Sequence, residues 1–295
     1  MTFFKNLTKM YKIPFGAINN IGLSLICFVL TTSGILRAQE LPLPLPDKNA
    51  ISGRDFMNRI ENLSLEEREE QIFQQIMNGN IPSFLRPLIP ITFSSSINNV
   101  NYTVTYYVIP DYLAVGSDSD YFIIPMTPIL AQKIANAIHF TLPTKKMADQ
   151  IWSTASVKLA PTPIPPSPKM TTIPVMWEHN TQLKVQRQET LQIAPLGVLV
   201  AGHKKDVIIS NKIHKNSSKP VVIYGWHYQN GTPIQPVYAG HSQTYADYSH
   251  GIRLVQDSVL INNQVDLISK VLQDAKKSSL FSDEGVIEKP FYPLK

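Results

Sequence analysis

The chain has 295 residues, with 27 basic side chains against 22 acidic ones, a single cysteine and 43% apolar residues, which is enough to fill a full-sized core. Four of the basic residues (Lys5, Lys9, Lys12 and Arg37) and no acidic residue fall in 1–38, so the remainder carries 23 basic against 22 acidic and leaves no compositional case for a nucleic-acid partner. Cys27 lies in the same segment, so residues 39–295 have no disulfide, no thiolate nucleophile and no cysteine-ligated metal.

Residues 1–38 read as a signal peptide. A basic stretch is followed by a short apolar run from Ile21 to Leu36, and Ala38 stands before the expected cleavage at Gln39. The run is short for a membrane span and carries Ser24, Thr31, Thr32, Ser33 and Gly34. The expectation is export to the periplasm or the extracellular space, with membrane contact only through the signal peptide before cleavage.

Residues 39–50 alternate proline with leucine and predict a linker, or an arm running along an edge. A helical part follows over 51–90. Ser52 to Asp55 and Ser64 to Glu67 both have capping-box spacing, and the second predicts a helix over 65–78. Within a main domain at 91–280, the stretches Ile91–Phe93, Tyr102–Val108, Leu113–Val115 and Tyr121–Ile124 predict strands. Asp118-Ser119-Asp120 lacks the rest of a calcium loop and reads as a turn. Helices are expected over 128–137 and 144–153, then a proline-rich ordered loop over 161–174, then a helix over 181–191. Strands are expected at Leu196–Val200, Val207–Ser210, Val221–Tyr224 and Ile252–Val255, with residues 196–255 forming one sheet. A helix over 265–275 and a tail at 281–295 close the chain. The fold class is α+β: a mainly antiparallel sheet with a helical N-terminal part and a C-terminal helix.

Five of the seven histidines (His203, His214, His227, His241 and His250) fall within 48 residues, where an even spread would put about one. Imidazole suits proton transfer and metal binding near neutral pH, so the cluster marks a candidate site. His203 and Asp206 sit on a predicted turn with Lys204 and Lys205; a plain turn with both lysines in solvent uses the same residues. Strict alternation in Val221–His227 puts Val221, Ile223, Gly225 and His227 on one face and Val222, Tyr224 and Trp226 on the other. The densest stretch runs from His241 to Arg253 and includes Asp247, Tyr248, Ser249 and His250.

Ser249-His250-Gly251-Ile252-Arg253-Leu254 resembles the Ser-His-Gly-Cys-x-Arg signature of L,D-transpeptidase catalytic domains, with the strand ending in His227 in a comparable role. The cysteine position is missing, because Gly251 runs directly into Ile252, so that family's nucleophilic chemistry does not carry over. The segments Lys158–Pro168, Gly202–Val207 and Asp247–Val255 resemble those of an uncharacterised family of exported bacterial proteins, which implies one continuous domain.

These residues predict an exported hydrolase of a cell-envelope or extracellular polymer. Its candidate catalytic groups are His203, Asp206, His227, His241, Asp247, Tyr248, Ser249, His250 and Arg253. One mechanism uses water on a divalent metal such as zinc, held by two histidines and an aspartate. The other uses Ser249 as nucleophile with a histidine base. No G-x-S-x-G or H-E-x-x-H motif is present. The alternative is a non-catalytic envelope module that binds glycan or peptidoglycan through its aromatic and histidine side chains.

Overall fold

The computed structural model describes residues 39–215, 217 and 219–294; the predicted signal peptide lies outside them. Ser52 Oγ accepts the Asp55 N–H at the start of α1 (Gly53–Ile60). At α2 (Leu65–Met77), Ser64 and Glu67 exchange side chain-to-backbone hydrogen bonds in a full capping box. Thr127 caps α3 (Pro128–Ala137) and Thr144 caps α4 (Lys145–Thr154), both where expected. The next helix, α5 (Ile173–Thr190), begins well before the predicted Thr181. Pro174 occupies its first turn, where a missing N–H breaks no helical bond, so the end of the proline-rich stretch is helical.

Asn98 and Asn99, both at positive φ (49° and 63°), turn β1 (Ile89–Ile97) back onto β2 (Val100–Val108). A smaller hairpin joins β3 (Ala114–Gly116) to β4 (Tyr121–Ile123). Short strands follow at β5 (Phe140–Thr141), β6 (Val157–Lys158), β7 (Val200–Ala201) and β8 (Lys205–Val207). Then come β9 (Val221–His227), β10 (Pro233–His241), β11 (His250–Gly251) and β12 (Val255–Gln256). The expected helix over 265–275 is replaced at its start by a second asparagine hairpin. β13 (Ser258–Ile261) turns through Asn262 and Asn263 (φ 50° and 65°) into β14 (Gln264–Leu267), and only then does α6 (Ile268–Gln273) begin.

The fold is α+β with mainly antiparallel sheets and helices toward both ends of the described residues. A six-stranded sheet has the order β14-β13-β2-β12-β5, with β1 also on β2, and a four-stranded sheet has the order β10-β9-β8-β11. Residues 196–255 do not form one sheet. β7 pairs in parallel with β6, β8 to β11 build the four-stranded sheet, and Val255 belongs to the six-stranded one. The irregular backbone at Gly202 (φ 101°) separates β7 from β8, so they are not a hairpin.

The proline–leucine stretch is an arm, not a tether. Leu41 N–H donates to Arg86 O and Leu88 N–H to Gln39 O, while Leu41 and Leu43 are buried. The Arg86 guanidinium donates to Leu43 O, Pro44 O and Gly79 O at 3.0, 2.7 and 2.9 Å. Phe56, Ile60, Ile72 and Ile76 of the helical part join the same core as Val108 of the large sheet and Ile223 of the small one.

Candidate functional site

The chemistry-bearing residues gather around the four-stranded sheet, but each key imidazole has a different carboxylate. His203 Nε2 lies 3.1 Å from Asp111 Oδ1 in a fully buried contact whose direction does not make a hydrogen bond. His227 Nε2 lies 3.3 Å from Asp149 Oδ1, and His250 Nε2 3.9 Å from Asp247 Oδ1. Asp111 and Asp149 were not anticipated. They stand 92 and 78 residues from their histidines, on a loop and on α4, and no local spacing marks them.

Around His203 the groups are sealed. Tyr112 packs edge-on against its ring at 4.9 Å and donates its hydroxyl to Asp206 Oδ2 at 3.1 Å, so Tyr112 stands between His203 and Asp206. Arg253 lies over the Tyr112 ring at 4.2 Å and donates to Ile109 O and Val200 O. Burial works against ionisation of Asp111, but His203, Arg253 and the Tyr112 N–H outweigh it and hold its carboxyl below the usual range. Burial wins at Asp206 and raises its carboxyl, despite Arg253, His227 and the Tyr112 hydroxyl.

Lys204 is not solvated. It is 0% exposed, donates to Tyr248 O at 2.6 Å, and is pushed down to about 7 by burial against the pull of Asp247 and Asp111. Tyr248 anchors the proline-rich loop, its hydroxyl accepting from Ile164 N–H and donating to Ile164 O. His179 of α5 packs against Tyr248 and Trp226 and shares a hydrogen bond with Thr162.

The Ser249 hydroxyl donates to Asp247 Oδ1 at 2.5 Å and its N–H to the same oxygen at 2.8 Å, while Tyr245 donates to Oδ2 at 3.1 Å. These contacts make Asp247 the organiser of a turn and give Ser249 no histidine partner among the described residues. His250 is fully buried, and burial brings it down to about 4 against Asp247, with Lys205 adding to the fall. His241 stacks on Tyr245 at 3.9 Å, and Tyr238 meets His241 edge-on at 5.3 Å. Together they form a ladder from the exposed Tyr238 to the buried His250. Among the described residues no three of His, Cys, Asp and Glu converge as metal ligands, so the zinc-held water is not assembled there.

His227 differs from the other two. Its partner Asp149 has a side chain 39% exposed. Tyr224 donates to Asp149 Oδ1 at 2.6 Å and Lys145 to Oδ2 at 2.8 Å. Burial opposes ionisation of Asp149, but the hydrogen bonds from His227, Lys145 and Tyr224 hold its carboxyl below the usual range. Trp152 stacks on His227 at 5.5 Å.

Tyr224 and His227 reach the same carboxylate, which strict alternation forbids. Gly225 (φ 102°) and Trp226 (φ 58°) both take left-handed backbone, and this break turns His227 onto the side of Tyr224. A Cβ on Gly225 would lie 3.2 Å from His227 Cε1 and 3.4 Å from Asp206 Oδ2, so the glycine leaves the space that both side chains need. The larger cavities open elsewhere, beside the arm over Ile51 and Ile81, over Trp177 and Lys184, along the six-stranded sheet, and over Glu69 and Leu130.

Comparison with protein families, curated proteins and solved structures found no match for this chain.

Proposed function

We propose that the protein is an exported hydrolase of a cell-envelope or extracellular polymer, with His227 as its proton-transfer group. The observation that supports this is the His227–Asp149 pair: of the three imidazole–carboxylate pairs, it alone has a substantially exposed carboxylate. Asp149, held ionised, accepts the His227 Nε2–H, so Nδ1 is the basic nitrogen of the ring. Nδ1 takes a proton from a water as the water oxygen bonds to the scissile centre, Asp149 stabilises the imidazolium, and the proton passes to the leaving group as its bond breaks. Tyr224 and Lys145 hold the carboxylate in place for this exchange.

A second reading, an envelope glycan-binding module, draws on the Tyr238–His241–Tyr245 ladder and the exposed Tyr228. One experiment separates the two. Purified protein is incubated with peptidoglycan and with soluble polysaccharides, and both released ends and co-sedimentation are measured. Under the hydrolase reading, His227→Gln and Asp149→Asn each lower turnover by about 10²-fold or more and leave polymer binding intact. Binding without any release of ends, lost in Tyr238→Ala and Tyr245→Ala but not in His227→Gln, would establish the second reading instead.

A further inference from the structure

The long hairpin of the six-stranded sheet has an open edge. β1 and β2 pair without a break in register from Ile89↔Val108 to Ile97↔Val100. Their two-residue turn makes Ile97↔Val100 a hydrogen-bonded pair, and alternation then turns the N–H and C=O of Thr92, Ser94 and Ser96 away from β2. The arm uses the start of that edge: Leu88 N–H donates to Gln39 O, and Arg86 O accepts from Leu41 N–H. Beyond Leu88, no backbone of the described residues pairs with it.

The other terminal strands of the two larger sheets are blunted, and this one is not. β10 carries Pro233 and Pro236 and two register shifts against β9, while β5, β11 and β14 are only two, two and four residues long. β1 has a single proline, Pro90, at a position whose N–H would point outward, so only the start of the edge is protected. Residues 89–108 contain no charged side chain, where the chain's 17% would put about three. Thr92, Ser94 and Ser96 are exposed.

A second copy of the same strand fits this edge. An antiparallel pair about a two-fold axis at Ser94 sets Thr92 opposite Ser96 and Ser94 opposite itself, so every outward N–H of one copy meets a carbonyl of the other. On the inner side Ile91 then faces Ile97, and the pairing covers Phe93 and Ile97, which are only half-buried in a single copy. Asn98 of one copy lies opposite Pro90 of the other, so the added strand ends at its turn just short of Gln39. No like charges meet across the axis, and β1 holds no charge by which the strand of a different protein is selected. We propose that the chain starting at Gln39 forms a two-fold dimer by antiparallel pairing of β1 with β1, independently of the chemistry at His227.

Sedimentation velocity on that chain should show a monomer–dimer equilibrium. Ser94→Pro removes an outward N–H and leaves the β1–β2 ladder intact, and Ser94→Lys sets two ammonium groups against each other across the axis. Each should weaken the dimer about tenfold or more and keep the wild-type circular dichroism spectrum. Amide hydrogen exchange on the wild type gives a readout that does not depend on either variant folding. Protection of Thr92, Ser94 and Ser96 should rise with protein concentration, while that of Phe93 and Ser95, already bonded to β2, should not change. The proposal is overturned by a monomer at up to about 1 mM protein, or by a dimer equally strong in both folded variants. Protection of the three amides that is the same at every concentration would overturn it in favour of a segment of the same chain on the edge. Assemblies larger than a dimer would also overturn it, because a two-fold pairing closes on itself.

Discussion

Lys204 is a costly side chain in the candidate site, because its ammonium is fully buried and, among the described residues, donates only to the Tyr248 carbonyl. Its folded pKa, about 7, lies below the ordinary 10.5, so unfolding takes up a proton between those values. The protein therefore gains stability as pH rises from 7 to 10.5, and below 7 the penalty is present in full. Lys204→Met should be more stable than wild type by about 2–4 kcal/mol near pH 6, after allowing for the Tyr248 carbonyl it orphans, and the gap should close toward pH 10. Urea melts at the two pH values measure it, and a gap that does not change with pH would refute the account. His250 follows the same sign lower on the scale. With its pKa near 4 against an ordinary 6.5, stability falls as pH drops from 6.5 to 4, and His250→Gln should flatten that limb. Neither residue is readable from sequence in this respect, since a lysine beside a turn is most often solvated. The partners Asp111 and Asp149 are equally hidden, because tertiary folding alone brings them to His203 and His227.

The capped helices α1 to α4 follow from local residues, since serine and threonine caps act within a single turn. The strand β9 does not. Its alternation fails at Trp226, whose left-handed backbone carries a side chain packed against His179, Tyr248 and Lys205 and has no signature of its own in the sequence. Gly225 is where the element and the site meet. Gly225→Ala should destabilise the protein by about 1–3 kcal/mol through positive φ and crowding, and should lower turnover more than the melting temperature alone explains, because the methyl group presses on His227 and Asp206. Comparing Gly225→Ala with an equally destabilising core variant such as Ile268→Val distinguishes the two effects; equal losses of turnover would leave Gly225 a purely structural role. The arm at 39–46 is a second element whose role comes from tertiary contacts. Leu41→Ala should cost about 2–4 kcal/mol by thermal or urea melting, whereas a dangling linker would tolerate the change.

At the scale of the whole molecule, the helical part and both sheets share one core. Ile72 and Ile76 of α2 are fully buried alongside Leu130 of α3 and Val108 of β2, and Glu69 of α2 accepts from the Thr127 N–H and hydroxyl at 2.7 and 2.8 Å. Composition and patterning pointed to one continuous α+β unit, and they could do so because burial and periodicity are averages over many residues. Strand pairing is not such an average: β12 and β5 meet from distant parts of the chain through only two residues each. A shared core has a direct thermodynamic consequence. With no boundary across which few contacts pass, the described residues should unfold as one cooperative unit. Differential scanning calorimetry on a chain starting at Gln39 should give a single transition whose calorimetric and van't Hoff enthalpies agree. A fragment starting at Ile91 should fail to fold, because it leaves the faces that receive Phe56, Ile60, Ile72 and Ile76 open to water. Two resolved transitions, or a soluble and cooperatively melting 91–294 fragment, would show that residues 51–90 are a separate part and that the core is divided.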